Sequence, residues 1–277
     1  MKSPPASSET ACIRARHAVR TDQLLGIDQV LLATSDTVVS APEVEIIRQQ
    51  PEVRTAPRRP ATQHGAPPVG QAAHTESTHT IVEPTGDTPA LQLESLREQH
   101  DAGCPHCTST TGHLNTVFGE GSATADLMFI GEAPGAEEDR TGRPFVGPAG
   151  LKLDEMITAM GFKREDVYIA NVLKSRPPNN RTPLEHEIEG CSPYLAEQVR
   201  IIRPRVIVTL GGPASKLLLD TPKGITRLRG IWGSYQAGGE TYPVMPTYHP
   251  AYLLRNYTQE TRGQVWNDLQ AAMARLD

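Results

Sequence analysis

Asp126-Leu127-Met128-Phe129-Ile130-Gly131-Glu132-Ala133-Pro134-Gly135 reads as a buried strand that stops on a tight turn. Its apolar residues run from Leu127 to Ile130 without a polar break, between Asp126 and a Gly–Pro–Gly segment. An unbroken apolar run of this length suits a strand covered on both faces, as in a parallel sheet. Working outward, Val167–Leu173, Val206–Leu210 and Val244–Tyr248 have the same character: brief, rich in β-branched residues, and bounded by Gly, Pro or charge. Between the first two runs, Leu153, Met156, Ile157 and Met160 fall at helical spacing. That spacing predicts a helix over Leu151–Met160, stopped by Gly161. Thr182-Pro183-Leu184-Glu185 predicts a helix start, with a capping box and Pro at the first helical position. A last helix, from about Gln259 to Leu276, carries Val265, Leu269, Met273 and Leu276 on one face. The alternation predicts an α/β fold, a central parallel sheet flanked by helices on both faces. Ligands of such sheets bind outside the carboxyl ends of the strands.

This pattern begins at Leu91. The stretch from Ala56 to Pro89 is rich in Pro, Thr, Ala, Gly and His and has no apolar period. Such a segment cannot bury enough apolar surface to offset its ordering entropy. The sequence therefore divides into residues 1–90, a largely disordered N-terminal extension with one or two short helices between Asp22 and Gln50, and residues 91–277, one domain. Hydrophobic residues make up 38% and aromatics 5% of the 277 residues, lean for a single globule of that length. The net charge of -5 excludes a uniformly basic nucleic-acid binder, so any contact with nucleic acid would have to come from local basic groups or backbone N–H groups. No run of about 18 apolar residues predicts a membrane span. The opening residues do not form a signal peptide, so the expectation is a cytoplasmic protein. In that compartment the four cysteines are metal ligands or spectators rather than disulfides.

The strand ends carry the chemistry. After the first strand come Gly131, Glu132 and Gly135, then Glu138 and Arg143-Pro144-Phe145-Val146-Gly147. The second ends on Asn171, followed by Lys174-Ser175-Arg176-Pro177-Pro178. The third leads through Gly211-Gly212-Pro213-Ala214-Ser215 into a helix N-terminus, a ready phosphate cradle. The fourth leads to His249-Pro250-Ala251 and on to Leu253-Leu254-Arg255. Each feature alone has a plain structural reading: Asn171 as a strand-end cap, Phe145 as a core aromatic, His249 as a buried histidine. Together, in order and at four strand ends, they converge on one site.

From about Gly103 onward the chain resembles the family-4 uracil-DNA glycosylases, the iron–sulfur branch of that group. The resemblance rests on Gly131-Glu132-Ala133-Pro134-Gly135 with Glu138-Asp139, on Gly142 through Gly150, on Asn171 through Pro178, on Asn180-Arg181-Thr182-Pro183, and on His249-Pro250-Ala251. It implies a base-excision-repair hydrolase that flips deoxyuridine out of DNA and cuts its N-glycosidic bond. Its partner would be uracil-containing DNA, and it would act as a monomer. Phe145 would stack on the base within a pocket that includes Gly131 and Gly135. Asn171 would read the uracil edge, and His249 would stabilise charge on the leaving base. Glu132 is the expected water-orienting carboxylate, with Glu138 as the alternative for that catalytic role. Better-known uracil glycosylases use aspartate where this chain has Ala133, and tyrosine where it has Gly135. Arg176, Gly212, Ser215, Leu254 and Arg255 would contact DNA, an apolar wedge from Leu253 or Leu254 filling the gap left by the flipped base.

Cys104-Pro105-His106-Cys107 is a closely spaced pair, which by itself suggests zinc or a redox couple. The resemblance instead implies a [4Fe-4S] cluster on four cysteines. Cys104, Cys107 and Cys191, the last expected at the start of a helix, match three of those positions. The fourth is Ser175, a doubtful ligand because its oxygen is harder than the sulfur such clusters prefer. Cys12 is an expected spectator. A second reading is a uracil-DNA-binding iron–sulfur protein with little turnover. The segment Asn179-Asn180-Arg181-Thr182-Pro183 lacks the extra histidine of the tight-binding branch, which favours turnover.

Overall fold

In the computed structural model the apolar run from Leu127 becomes β2 (Leu127–Gly131), buried along its whole length. Its side chains alternate between two cores: Met128 and Ile130 face one, Leu127 and Phe129 the other. The structure describes residues 81–109 and 112–277. The expectations for residues 1–80, including the helices between Asp22 and Gln50 and the spectator Cys12, lie outside the described residues.

Around β2 the sheet holds β1 (Glu120–Gly121), β3 (Tyr168–Asn171), β4 (Val206–Leu210), β5 (Gly233–Ala237) and β6 (Glu240–Thr247). The strand order is β1-β3-β2-β4-β6-β5. The four inner strands are the four apolar runs of the sequence, and they pair parallel. The expectation of a parallel sheet holds for these, but β1 and β5 pair antiparallel at the two edges. Both were too weak to read in the sequence: β1 is two residues long, and β5 buries only its last residue fully. Antiparallel edges are common on otherwise parallel sheets.

Helices cover both faces. In chain order they are α1 (Pro89–Gly103), α2 (Ala136–Thr141), α3 (Pro148–Ala159), α4 (Glu185–Ile202), α5 (Gly212–Leu218), α6 (Ile225–Leu228), α7 (Pro250–Arg255) and α8 (Gln259–Met273). Leu93 and Leu96 of α1, Leu195 and Val199 of α4, and Leu218 of α5 pack with the Met128 face. Leu153 and Met156 of α3, Leu253 of α7, and Val265 and Leu269 of α8 pack with the Phe129 face. Among the described residues, no helix is long and apolar enough to cross a membrane.

Three local expectations shift. Helix α1 begins at Pro89, two residues before the domain boundary drawn at Leu91, with Thr88 Oγ1 accepting from the Leu91 N–H at 3.3 Å. The helix expected from Thr182 starts at Glu185 instead, because the Glu187 carboxylate takes the Leu184 N–H at 2.8 Å and so fixes the cap there. Cys191 consequently lies in the second turn of α4, not at its start.

Candidate active site and metal centre

The carboxyl ends of the four inner strands meet at a cleft of about 530 Å³. Strand β3 runs to one side of β2 and β4 to the other, so the cleft lies where the chain reverses direction across the sheet. Glu132, Gly135, Glu138, Phe145, Asn171, Gly212, His249 and Arg255 line it.

Asn171 closes β3 opposite Gly131, the last residue of β2. Its side chain is buried, and its Oδ1 has no hydrogen-bond partner. An orphaned buried acceptor costs about 1–3 kcal/mol and marks a place where a donor belongs. Gly131 lies beneath this group. A Cβ there would stand 2.4 Å from Asn171 Oδ1 and 2.5 Å from Phe145 Cζ, so only glycine lets amide and ring close on the same floor. Phe145 is held in the left-handed region at φ 50°, and its ring centroid lies 5.6 Å from that of His249.

His249 caps α7, its Nδ1 accepting from the Ala251 N–H at 3.1 Å. That bond leaves the ring proton on Nε2. Burial, reinforced by the nearby Arg255 charge, pushes the imidazole down to about 4, so the ring is neutral at pH 7. Gly211 lets β4 turn beside it: at φ 90° it adopts a backbone that favours glycine, and a Cβ there would sit 3.0 Å from His249 Cβ.

The two carboxylates differ. Glu132 lines the cleft, and burial raises its pKa. Glu138, the alternative water-orienting carboxylate, is engaged elsewhere. Its Oε2 accepts from Gly135 N–H at 3.1 Å, and its Oε1 from Val146 and Gly147 N–H at 2.9 Å each. It clamps the loop after β2 to the loop that carries Phe145. Both of its oxygens are thus engaged by backbone, which counts against the water-orienting role.

The expected DNA contacts divide. Gly212 and Arg255 line the cleft. Leu254 is exposed while Leu253 is buried in the core, so of the two only Leu254 is at the surface. Arg176 stands at a neighbouring depression of about 260 Å³, its Nε donating to Asn180 Oδ1 at 2.7 Å. Ser215 does not fit its expected role. It is fully buried, and its Oγ donates to the Gly211 carbonyl at 2.6 Å, because its position in the first turn of α5 points it back into the sheet.

Behind β3, Cys104, Cys107 and Cys191 converge. Cys191 Sγ lies 3.6 Å from Cys104 Sγ and 3.5 Å from Cys107 Sγ. The fourth donor is His100, whose Nε2 lies 3.3 Å from Cys107 Sγ. All four donor atoms fall within 4.8 Å of one another, and all four residues are buried. This cluster could bind a metal. Ser175, the doubtful ligand, is buried, and its Oγ pairs with Nε2 of His106, within the Cys104–Cys107 turn, at 3.2 Å. His100 was missed in the sequence, although it stands only one helical turn before Cys104, whose N–H donates to the His100 carbonyl at 2.9 Å.

Lys174 was also missed. It is fully buried, and its Nζ donates to the Asn171 carbonyl at 2.8 Å and to Gln198 Oε1 at 2.6 Å. Burial pushes its amine down to about 7. It ties the carbonyl of the strand-end amide to α4, the helix that carries Cys191. Nothing in the sequence distinguishes it from a lysine that faces DNA.

Comparison with known proteins adds to this geometry. The family model for the "Uracil DNA glycosylase superfamily" matches residues 118–270. A Type-4 uracil-DNA glycosylase of Thermotoga maritima is 46% identical over 183 residues, covering 65% of this chain and 94% of the relative. One of Sulfurisphaera tokodaii is 45% identical over 169 residues, 59% of this chain and 76% of the relative. A Type-5 uracil-DNA glycosylase of Pyrobaculum aerophilum is 32% identical over 163 residues, 52% of this chain and 71% of the relative.

Proposed function

The chain belongs to the uracil-DNA glycosylase superfamily, and from that premise we propose that it excises uracil from DNA in base-excision repair, leaving an abasic site. The observation that carries the reading is the unpartnered Oδ1 of Asn171 on the cleft floor. Uracil presents N3–H to that oxygen and O4 to the amide NH₂. Cytosine presents the opposite pattern at both atoms, so each mismatch leaves a buried polar group unpaired at about 1–3 kcal/mol.

The base reaches this floor only when the nucleotide is flipped out of the stack. Phe145 then stacks on it. As the N-glycosidic bond breaks, the bonding pair moves onto the base, and negative charge grows at O2. His249, neutral and protonated at Nε2, donates there. A preorganised donor of this kind is typically worth ~3–4 kcal/mol in the transition state. Glu132 orients the water that adds to the sugar carbon, and the proton released from that water balances the charge left on the base. Glu138 holds the Phe145 loop in register. Arg255 and Arg176 hold phosphates, and Leu254 occupies the vacated place in the duplex.

We assign the buried thiol pocket to the [4Fe-4S] cluster that the family resemblance implies. The donor chemistry fits, since thiolates hold such clusters and imidazole replaces cysteine in some iron–sulfur centres. The cluster would be structural: Cys104 and Cys107 follow α1 and Cys191 sits in α4, so a metal joins the two helices behind the cleft. Residues 91–277 would carry the activity. We test the base-reading role with Asn171→Asp. A protonated acid there can donate to N3 of cytosine, so the ratio of uracil to cytosine cleavage should fall by at least tenfold. Unchanged discrimination would remove Asn171 from base reading.

A further inference from the structure

The family's fourth thiolate is missing here, and the structure supplies a different donor. We propose that His100 Nε2 is the fourth protein ligand of the metal centre, completing a Cys₃His set with Cys104, Cys107 and Cys191. This rests on the reading that the pocket holds a metal.

Three observations carry it. His100 is fully buried beside the rings of Phe118 and Tyr194, and its Nε2 points at the sulfurs, 3.3 Å from Cys107 Sγ. The other ring nitrogen, Nδ1, lies 2.8 Å from Asp101 Oδ1, and Thr116 Oγ1 donates to that same oxygen at 2.8 Å. Metal-bound histidines are oriented this way: a carboxylate takes the proton of one nitrogen and leaves the lone pair of the other for the metal. Finally, the four donors already converge: the sulfurs lie 3.5 and 3.6 Å apart, the His100 nitrogen is 3.3 Å from one of them, and all four donor atoms fall within 4.8 Å of one another.

Ser175, the residue in the place of the lost cysteine, is accounted for differently. Its Oγ pairs with His106 Nε2 at 3.2 Å, and His106 Nδ1 lies 4.0 Å from Glu187 Oε1. Glu187 is gripped by Arg181 through bonds of 2.6 and 2.7 Å. A chain of polar contacts therefore ties the Cys104–Cys107 turn to the segment after β3 and to α4, the connection a fourth thiolate would otherwise make.

The shared chemistry is a Cys₃His site for a thiophilic metal, either a [4Fe-4S] cluster or one zinc ion. The test uses full-length protein prepared without oxygen, with iron, zinc and sulfide counted per chain. Wild type and Ser175→Ala should hold the same metal. His100→Leu should lose at least a quarter of the iron, or all of the zinc. His100→Cys should retain the metal. In an iron-loaded, reduced sample, pulsed electron paramagnetic resonance should show histidine nitrogen coupling in wild type and Ser175→Ala, and none in His100→Cys. The reduction potential of His100→Cys should fall, because imidazole in place of thiolate raises it. In a zinc-loaded sample, cobalt substitution reports the same ligand, its visible bands shifting in His100→Cys alone. Metal present with nitrogen coupling or cobalt bands untouched by His100→Cys overturns the proposal, as does loss of metal in Ser175→Ala. A wild-type protein with neither iron nor zinc instead overturns the metal reading on which the proposal rests.

Discussion

Replacing the two cleft glutamates separately should give opposite results. Glu138 accepts three backbone N–H bonds of 2.9 to 3.1 Å from two loops. Glu138→Ala removes all three acceptors at once. Each orphaned N–H costs about 1–3 kcal/mol, and the low end applies beside a water-filled cleft, so the loss should be about 3 kcal/mol. Cleavage should slow as well, because the Phe145 loop loses its clamp. For Glu132, burial raises the pKa, so at neutral pH its ionised form is strained in the fold. Glu132→Ala should therefore leave stability unchanged or slightly raised. It should still lower the cleavage rate by about 10²-fold, as loss of a general base does. Urea unfolding midpoints report the first effect, and single-turnover uracil release at saturating enzyme reports the second. If Glu138→Ala is as stable as wild type but inactive, while Glu132→Ala cleaves normally, the roles are reversed and the argument from hydrogen bonding fails.

Other outcomes follow from the same contacts. His249 titrates at about 4 in the fold against the 6.5 of an ordinary histidine, so between those values the unfolded chain takes a proton that the folded chain refuses. Its contribution to stability is thus complete above pH 6.5 and is lost as pH falls through 4, by about 3 kcal/mol at the limit. Nitrogen NMR of the ring should show a midpoint near 4, and the acid limb of the stability curve should flatten in His249→Gln; a ring midpoint near 6.5 would contradict the neutral-donor role. Leu253→Ala should destabilise the protein by ~2–5 kcal/mol as a core cavity. Leu254→Ala should leave the unfolding midpoint in place but slow cleavage of duplex DNA more than of single strands, and equal slowing on both would remove the wedge. A chain beginning at residue 81, which keeps Thr88 and α1 whole, should match the full-length cleavage rate, whereas a large loss would place part of the DNA contact in the extension.

The sequence revealed whatever depends on local pattern. Short, largely apolar runs located all four inner strands, because strands buried on both faces carry few polar residues. The antiparallel edges escaped because edge strands are short and half-solvated, as Gly233–Ala237 shows. At the site, Gly131, Asn171 and His249 were legible through their positions at or just after strand ends, and Phe145 through the Arg143–Gly147 segment in the loop between α2 and α3. Glu138 and Ser215 were misjudged because a residue's type states what it can do, while its neighbours decide what remains free to do it. Three loop N–H groups occupy the one, and a backbone carbonyl together with Thr209 occupies the other. His100 was not legible for the converse reason: a histidine inside a helix has no ligand signature of its own, and only the fold aims its ring at the three sulfurs.

The most direct test of the account is chemical. Full-length protein, incubated with an oligonucleotide holding one deoxyuridine, should release one equivalent of free uracil, detected by mass spectrometry, and leave an abasic site that alkali cleaves, with no divalent metal in the buffer. His249→Ala should bind the same oligonucleotide but release uracil at least 10²-fold more slowly. Tight binding by the metal-loaded wild-type protein with no free uracil, on single-stranded and double-stranded DNA alike, would contradict the account and leave a protein that only holds uracil-containing DNA.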